Sequence, residues 1–265
     1  MVVFNLDFEE IIHCQPPPWN NSNNKNLSGL KILSQNTNTL NLSTLYNPQS
    51  KDKFHTKIVA ILKKGADIIC LQDVRIGDNI DDFQTNFDLH ALGQYKCFIN
   101  SNKTERGVAI MIRKSLKFKV YRQYNSLCQN SLILDMEVNG VRFVLNNIYG
   151  PLQIDCPNFY NDMRAKIDAI GVPKFLWVGD MNIVTDLTEP GGNENHNLEL
   201  HEYVTIPNKN LSKQMIDLMS SGFIYDKFRL LYPTLTQYSY KSFQENTTKR
   251  SRIDQVMVSP PSPML

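Results

Sequence analysis

Phe175-Leu176-Trp177-Val178-Gly179-Asp180-Met181-Asn182 is the stretch on which the fold turns. Its first four residues are apolar without a break, and the run stops at a carboxylate. A half-exposed strand alternates apolar with polar residues, whereas an unbroken apolar run of strand length suits a strand covered on both faces. Asp67-Ile68-Ile69-Cys70-Leu71-Gln72 reads the same way, and Leu30-Lys31-Ile32-Leu33-Ser34-Gln35-Asn36 alternates like a strand. Further strands are expected over 108–113, 132–138, 141–149 and 253–258. Asn139-Gly140 between the second and third of these is a hairpin-type turn, so the sheet must be mixed. Phe54, Ile58, Ile61 and Leu62 recur at helical spacing and predict a helix over 52–64, with Gly65 as C-cap. Two more helices are expected over 158–169 and 212–220, the latter stopped by Gly222. Helices and strands interleave without a repeat or linker. That pattern describes one α/β domain with helices outside packed sheets.

The chain has 265 residues, enough to bury a large core, and its 42% hydrophobic and 20% charged content is that of a globular protein. A net charge of +2 is too small to argue for a polyanionic partner, so local charge placement matters more. The five cysteines, Cys14, Cys70, Cys97, Cys128 and Cys156, are widely spaced and form no CxxC pair. They read as free thiols rather than zinc ligands or a disulfide framework, and Cys70 as a core residue. No apolar run approaches a membrane span and no signal peptide opens the chain, so the expected location is nuclear or cytoplasmic, not secreted. Residues 1–28 contain Pro16-Pro17-Pro18 and an Asn-rich tract and are expected to form a disordered tail. The domain is expected over 29–265.

Several strands end in oxygen-bearing side chains. Asn36, Asp73, Asp180, Asn182 and Asp254 are the hard donors that Mg²⁺ or Mn²⁺ takes, and clustered Cys/His for zinc is lacking. Singly, each has a plain structural reading. An Asp after a strand is usually a turn residue or helix N-cap, an Asn a turn former, and Tyr149 before Gly150-Pro151 can simply pack an edge. Lys249, Arg250 and Arg252 form a basic cluster just before Asp254, suited to a phosphate backbone or to a solvated turn.

Order and spacing carry more than any one residue. Ser34-Gln35-Asn36, Leu71-Gln72-Asp73, Asn147-Ile148-Tyr149-Gly150-Pro151, Gly179-Asp180-Met181-Asn182 and Ser251-Arg252-Ile253-Asp254 occur in that sequence. Together they resemble the motifs of the endonuclease/exonuclease/phosphatase superfamily of metal-dependent phosphodiesterases and phosphatases. Asp226-Lys227-Phe228-Arg229-Leu230-Leu231-Tyr232-Pro233, followed by Tyr238-Ser239-Tyr240, is similar to the endonuclease domains of non-LTR (LINE-type) retrotransposons, which nick target DNA.

The resemblance implies a four-layer α/β sandwich, two packed mixed β-sheets flanked by helices. It implies a Mg²⁺ (or Mn²⁺) cofactor, DNA as partner, no membrane, and a reverse transcriptase domain in the parent polyprotein. Asn36 and Asp73 would hold the metal. Asp180 and Asn182 would orient water and the scissile phosphate, Tyr149 would stabilise phosphate or leaving oxygen, and Asp254 would complete the cluster. Ser239, Lys249, Arg250 and Arg252 would contact phosphate or DNA.

Two departures stand out. Asp73 replaces the usual Glu. The family's closing Ser-Asp-His motif falls beyond Leu265, while His13, His55, His90, His196 and His201 all lie upstream of Asp254. On this reading the domain is C-terminally truncated and lacks its last strand. The alternatives are a catalytically silent module that binds nucleic acid or protein, and another branch of the superfamily such as an abasic-site endonuclease or phosphoinositide phosphatase.

Overall fold

Side chains along each central strand divide between two cores, which is why those strands are apolar without alternation. Strand β3 (Ile68–Arg75) sends Ile68 and Cys70 to one side and Ile69 and Leu71 to the other, all fully buried. The computed structural model describes residues 2–6, 29–41, 48–76, 81, 85, 93–101, 106–126, 128–152, 154–183, 185, 200–201, 208–232, 239–244, 247–251 and 253–260.

One sheet has five strands in the order β1-β2-β3-β5-β4. These are β1 (Val2–Leu6), β2 (Leu30–Asn41), β3, β4 (Tyr95–Ser101) and β5 (Gly107–Arg113). Only β2 and β3 run parallel. A second sheet has six strands, β11-β14-β9-β8-β7-β6. It is built from β6 (Phe118–Asn125), β7 (Ser131–Val138), β8 (Val141–Tyr149), β9 (Phe175–Asp180), β11 (Tyr225–Asp226) and β14 (Asp254–Val258). Here β8 and β9 are the parallel pair. A small third sheet, β10-β13-β12, joins β10 (Leu200–His201), β13 (Thr247–Ser251) and β12 (Tyr240–Gln244).

The two large sheets pack face to face through Ile32, Ile110, Leu134, Leu145, Val178 and Val256 among others. Helix α1 (Pro48–Leu62) covers the outside of the first sheet with Phe54, Ile58 and Ile61. Helices α2 (Phe159–Ile170) and α3 (Lys209–Ser220) cover the second through Tyr160, Met163, Ile167, Leu211, Met215 and Leu218. Trp177, fully buried, anchors that outer core between Tyr160 at 6.4 Å and Phe223 at 6.3 Å. A short helix α4 (Lys227–Leu231) follows β11. The fold is therefore the four-layer α/β sandwich of two mixed sheets that the resemblance implies. No described helix is long and apolar enough to cross a membrane.

One expectation is corrected. Val2–Leu6 falls within the span read as a disordered tail, yet it is a strand, paired antiparallel with β2 from Val2↔Ser34 to Leu6↔Leu30. Proline and asparagine farther along dominate the composition of that span. Val2-Val3-Phe4 are β-formers, and they meet a sheet edge that leaves backbone groups to pair. Residues 7–28 lie outside the described residues. Helix α1 starts at Pro48, four residues before the expected start, because proline suits the first helical position. The expected loop over 186–197 also lies outside the described residues, apart from the neighbouring Thr185.

Candidate active site

The face that each strand turns toward the other sheet changes from apolar to polar near one end. Ile32, Ile68, Cys70, Leu145 and Val178 are core. Beyond them on the same strand faces come Ser34, Gln72 and Asn147, all buried. Gln72 Nε2 donates to Asn147 Oδ1 at 2.7 Å and to Ser34 Oγ at 3.1 Å. Asn147 Nδ2 donates to the carbonyls of Leu71 and Ala109, at 3.0 and 2.9 Å. This layer bonds the two sheets to each other. Asn147→Leu is expected to cost about 2–4 kcal/mol, because it strands those carbonyls and one Gln72 proton in the interior. Urea unfolding measures it; a loss under about 0.5 kcal/mol would contradict the clasp.

One step farther lies the rim. Tyr149, Asp180 and Asp254 sit side by side on β8, β9 and β14, in the registers Tyr149↔Asp180 and Asp254↔Asp180. Register partners share a face, so three reactive side chains line one row. From the other sheet, Asn36 Nδ2 donates to Asp180 Oδ2 at 2.8 Å. The other oxygen of Asp180 accepts the Asn182 backbone N–H at 3.0 Å.

The backbone is strained at the same place. Asp73 (φ 57), Asn182 (φ 50) and Asn38 (φ 47) are left-handed without being glycine. Asn38 is held by its N–H donating to Asn36 Oδ1 at 2.8 Å. Asn182 is held by Nδ2 donating to Gly150 O at 2.8 Å. Gly150 itself must be glycine, since a Cβ there would lie 2.0 Å from Met181 O.

Electrostatics follow from this crowding. Burial, then the neighbouring Asp254, push the Asp180 carboxyl up from 3.8 to about 6, against the opposing hydrogen bonds from Asn36 and Asn182. Burial also raises Asp254, opposed in part by a hydrogen bond from the Ser239 hydroxyl. The Tyr149 phenol is raised by burial and then by Asp73 and Asp180, against Arg75 and Arg106. It is therefore protonated and a hydrogen-bond donor at neutral pH.

The structure brings Asn36, Asp180, Asn182, Asp254 and Tyr149 together as the sequence suggested. Asp73 lies close enough to act on Tyr149, with its Oδ1 ion-paired to Arg75 Nε at 3.2 Å. Ser239 is at the site in a more definite role than a phosphate contact. Its Oγ accepts the backbone N–H of Ile253 (3.0 Å) and of Asp254 (2.9 Å), fixing the start of β14. Arg252 lies outside the described residues, and of Lys249 and Arg250 only the backbone, in β13, is described. Arg113 is at the opposite end of β5, against Asp67 and the Ala66 carbonyl. The sequence reading missed Gln72 and Asn147 as a clasp, and Arg75 as a cation beside Tyr149. The even spacing of Ser34 with Asn36 and of Cys70 with Gln72 was the available signal for the clasp.

A divalent cation fits this donor set. Asp254 Oδ1 is buried without a hydrogen-bond partner, and two desolvated carboxylates stand side by side with a raised Asp180. Among the described residues no three His, Cys, Asp or Glu side chains converge. Mg²⁺-like ions are commonly held by one or two carboxylates with water and substrate oxygens completing the shell.

Comparison with known proteins agrees. The family model described as the Endonuclease/Exonuclease/phosphatase family matches residues 33–263. The chain belongs to this family. Among curated proteins none matches by sequence. An AP endonuclease, LMAP from Leishmania major, is similar in structure at a TM-score of 0.60 and 18% identity, over 86% of this chain and 78% of that one. An AP endonuclease from Archaeoglobus fulgidus gives 0.58 and 17%, over 88% and 87%. A humanized D. rerio TDP2 gives 0.54 and 14%, over 88% and 84%. At these identities the likeness is one of fold. The family is one of metal-dependent nucleases and phosphatases, and this chain carries its polar strand ends on one rim.

Proposed function

We propose that this chain is a divalent-metal-dependent phosphodiesterase that nicks DNA, as the endonuclease domain of a non-LTR retroelement. The observation that carries the reading is the row of Tyr149, Asp180 and Asp254, closed from the opposite sheet by Asn36. The branch rests on the sequence around α4. There Asp226 caps the helix, its Oδ1 accepting Phe228 N at 2.9 Å and Arg229 N at 3.3 Å. Arg229 then lies over the Phe228 ring at 5.4 Å. In such an element the domain would be joined to a reverse transcriptase and act on nuclear DNA.

Asn36, Asp73 and Asp254 are the oxygen donors that would hold Mg²⁺ or Mn²⁺ with water. Bound there, the cation supplies Lewis-acid stabilisation of the charge that builds on the phosphate. Asp180, oriented by Asn36 and Asn182, positions the attacking water and takes its proton. Tyr149 donates its phenol proton as a hydrogen bond to a phosphate or leaving oxygen. Asn182 keeps Asp180 and the Gly150 backbone in register.

Supercoiled plasmid with Mg²⁺ or Mn²⁺ tests this. Nicking lost in Asp180→Ala is the expected result; DNA held in a gel shift without nicking would instead favour a silent binding module. Because Asp180 must be deprotonated to accept a proton, the rate should rise with pH through about 6 and then level. A rate flat from pH 5 to 8 would remove Asp180 from the proton-accepting role. The second reading is an abasic-site endonuclease, favoured by the fold similarity to two proteins of that name. An oligonucleotide with one abasic site, cleaved at least about tenfold faster than its intact counterpart, would establish it.

A further inference from the structure

Cys128 lies in the turn between β6 and β7, and Cys156 in the connection from β8 to α2. The two segments are tied at their roots. Tyr149 N donates to Asn130 O at 2.8 Å, and Asn130 Nδ2 donates back to Tyr149 O. Both cysteines rest on the core beneath α2 and α3, and both are half-buried free thiols. The two thiols are near enough to act on each other, and Cys128 Sγ lies 3.8 Å from Ser126 Oγ. We propose that Cys128 and Cys156 are a disulfide-forming pair, a modification site that locks residues 150–156 to the β6–β7 turn beside Tyr149.

The chemistry closes with a hydroperoxide as oxidant. The Cys128 sulfur attacks the peroxide oxygen of H₂O₂, giving a sulfenic acid and one water. The Cys156 sulfur then displaces the hydroxyl from that sulfenic sulfur, forming the S–S bond and a second water. Two thiol hydrogens and two electrons leave the protein, and the peroxide is reduced to two waters. Burial, then the neighbouring Cys128, push the Cys156 thiol up to about 12.

The cross-link reaches the site through the segment it pins. Gly150 O accepts from Asn182 Nδ2, Gly150 N donates to Asp180 O, and Asp155 is ion-paired with Arg106. Oxidation would therefore fix Tyr149 and Asn182 without touching either. The site stands apart from the phosphodiesterase reading, because bond formation can be measured without any activity.

The full chain is treated with dilute H₂O₂, alkylated under denaturing conditions and digested without reductant. The expected product is one peptide pair joining Cys128 to Cys156, while Cys70 and Cys97 are recovered alkylated. Tm should rise by about 5 °C on oxidation and return with reductant. Cys128→Ser should abolish both the cross-linked pair and the Tm rise. Cys156 recovered as a free thiol, a cross-link to Cys97 or Cys14 instead, or the same Tm rise in Cys128→Ser would each overturn the proposal.

Discussion

At pH 7.5 Asp180→Asn should unfold at a higher temperature than the unsubstituted chain when no divalent cation is present, and, with Mg²⁺ supplied, should hydrolyse phosphodiesters at least about a thousandfold more slowly. The two effects share a cause. Asp180 is 4% exposed, and its carboxyl is raised from 3.8 to about 6 by burial and then by Asp254. A carboxyl raised in the folded state contributes stability that is full below 3.8 and is lost as pH climbs through about 6. The ionised form at neutral pH therefore costs the fold about 3 kcal/mol. An amide carries no charge and removes that cost. It gives some of it back, because one oxygen must now serve both Asn36 Nδ2 and the Asn182 N–H. The net gain should be about 1–2 kcal/mol, or a Tm higher by about 2–5 °C in a chain of this length.

The sign of the effect is checkable. At pH 4, where Asp180 is protonated in the fold, Asp180→Asn should melt slightly lower, by the about 1–2 kcal/mol it gives back, and the order should reverse as pH rises through about 6. Adding Mg²⁺ should lift the unsubstituted chain more than Asp180→Asn, since a cation offsets the same repulsion. A variant that loses stability equally at every pH would show that Asp180 is held by its hydrogen bonds alone.

The largest structural effect should come from Gly179→Ala. Gly179 has φ +141, where side chains are strained, and an added Cβ would lie 1.9 Å from Ile148 O. Ile148 and Gly179 are register partners in the parallel pair at the centre of the second sheet. No flexible side-chain end can yield there, because both parties are backbone. The expected cost is above about 4 kcal/mol, with β8 and β9 forced apart directly under Tyr149 and Asp180. Gly171→Ala is the control. It shares a positive φ of +71 but has nothing within 4 Å, and should cost only about 1 kcal/mol. Circular dichroism and urea unfolding of the two variants separate strain from collision. Equal costs would mean the sheet can open to admit a methyl group.

Much of this was legible along the chain. Unbroken apolar runs announced strands covered on both faces, and the structure places Ile68 with Cys70, and Ile69 with Leu71, in separate cores. Helices α2 and α3 lie close to their expected spans. Other strands were harder. β6 has a mostly exposed pattern, so its apolar content gives little signal. β1 depends on an edge offered by β2, which no local propensity encodes. Around Asp254 the sequence suggested a phosphate-binding role for Ser239; its Oγ also accepts the backbone N–H groups that start β14, a contact that sequence does not show.

The sequence by itself determined the layered α/β class and the set of polar strand ends, because burial on both faces and the change to oxygen-bearing residues are local properties of each strand. Only the tertiary structure decided which of those ends meet. Asn36 and Asp180 are 144 residues apart, yet their side chains are 2.8 Å apart, because two sheets pack with their polar rims at the same edge. The charge state of Asp180 is likewise a product of assembly. A lone aspartate in a turn is solvated, and this one is raised because folding buries it and sets Asp254 beside it.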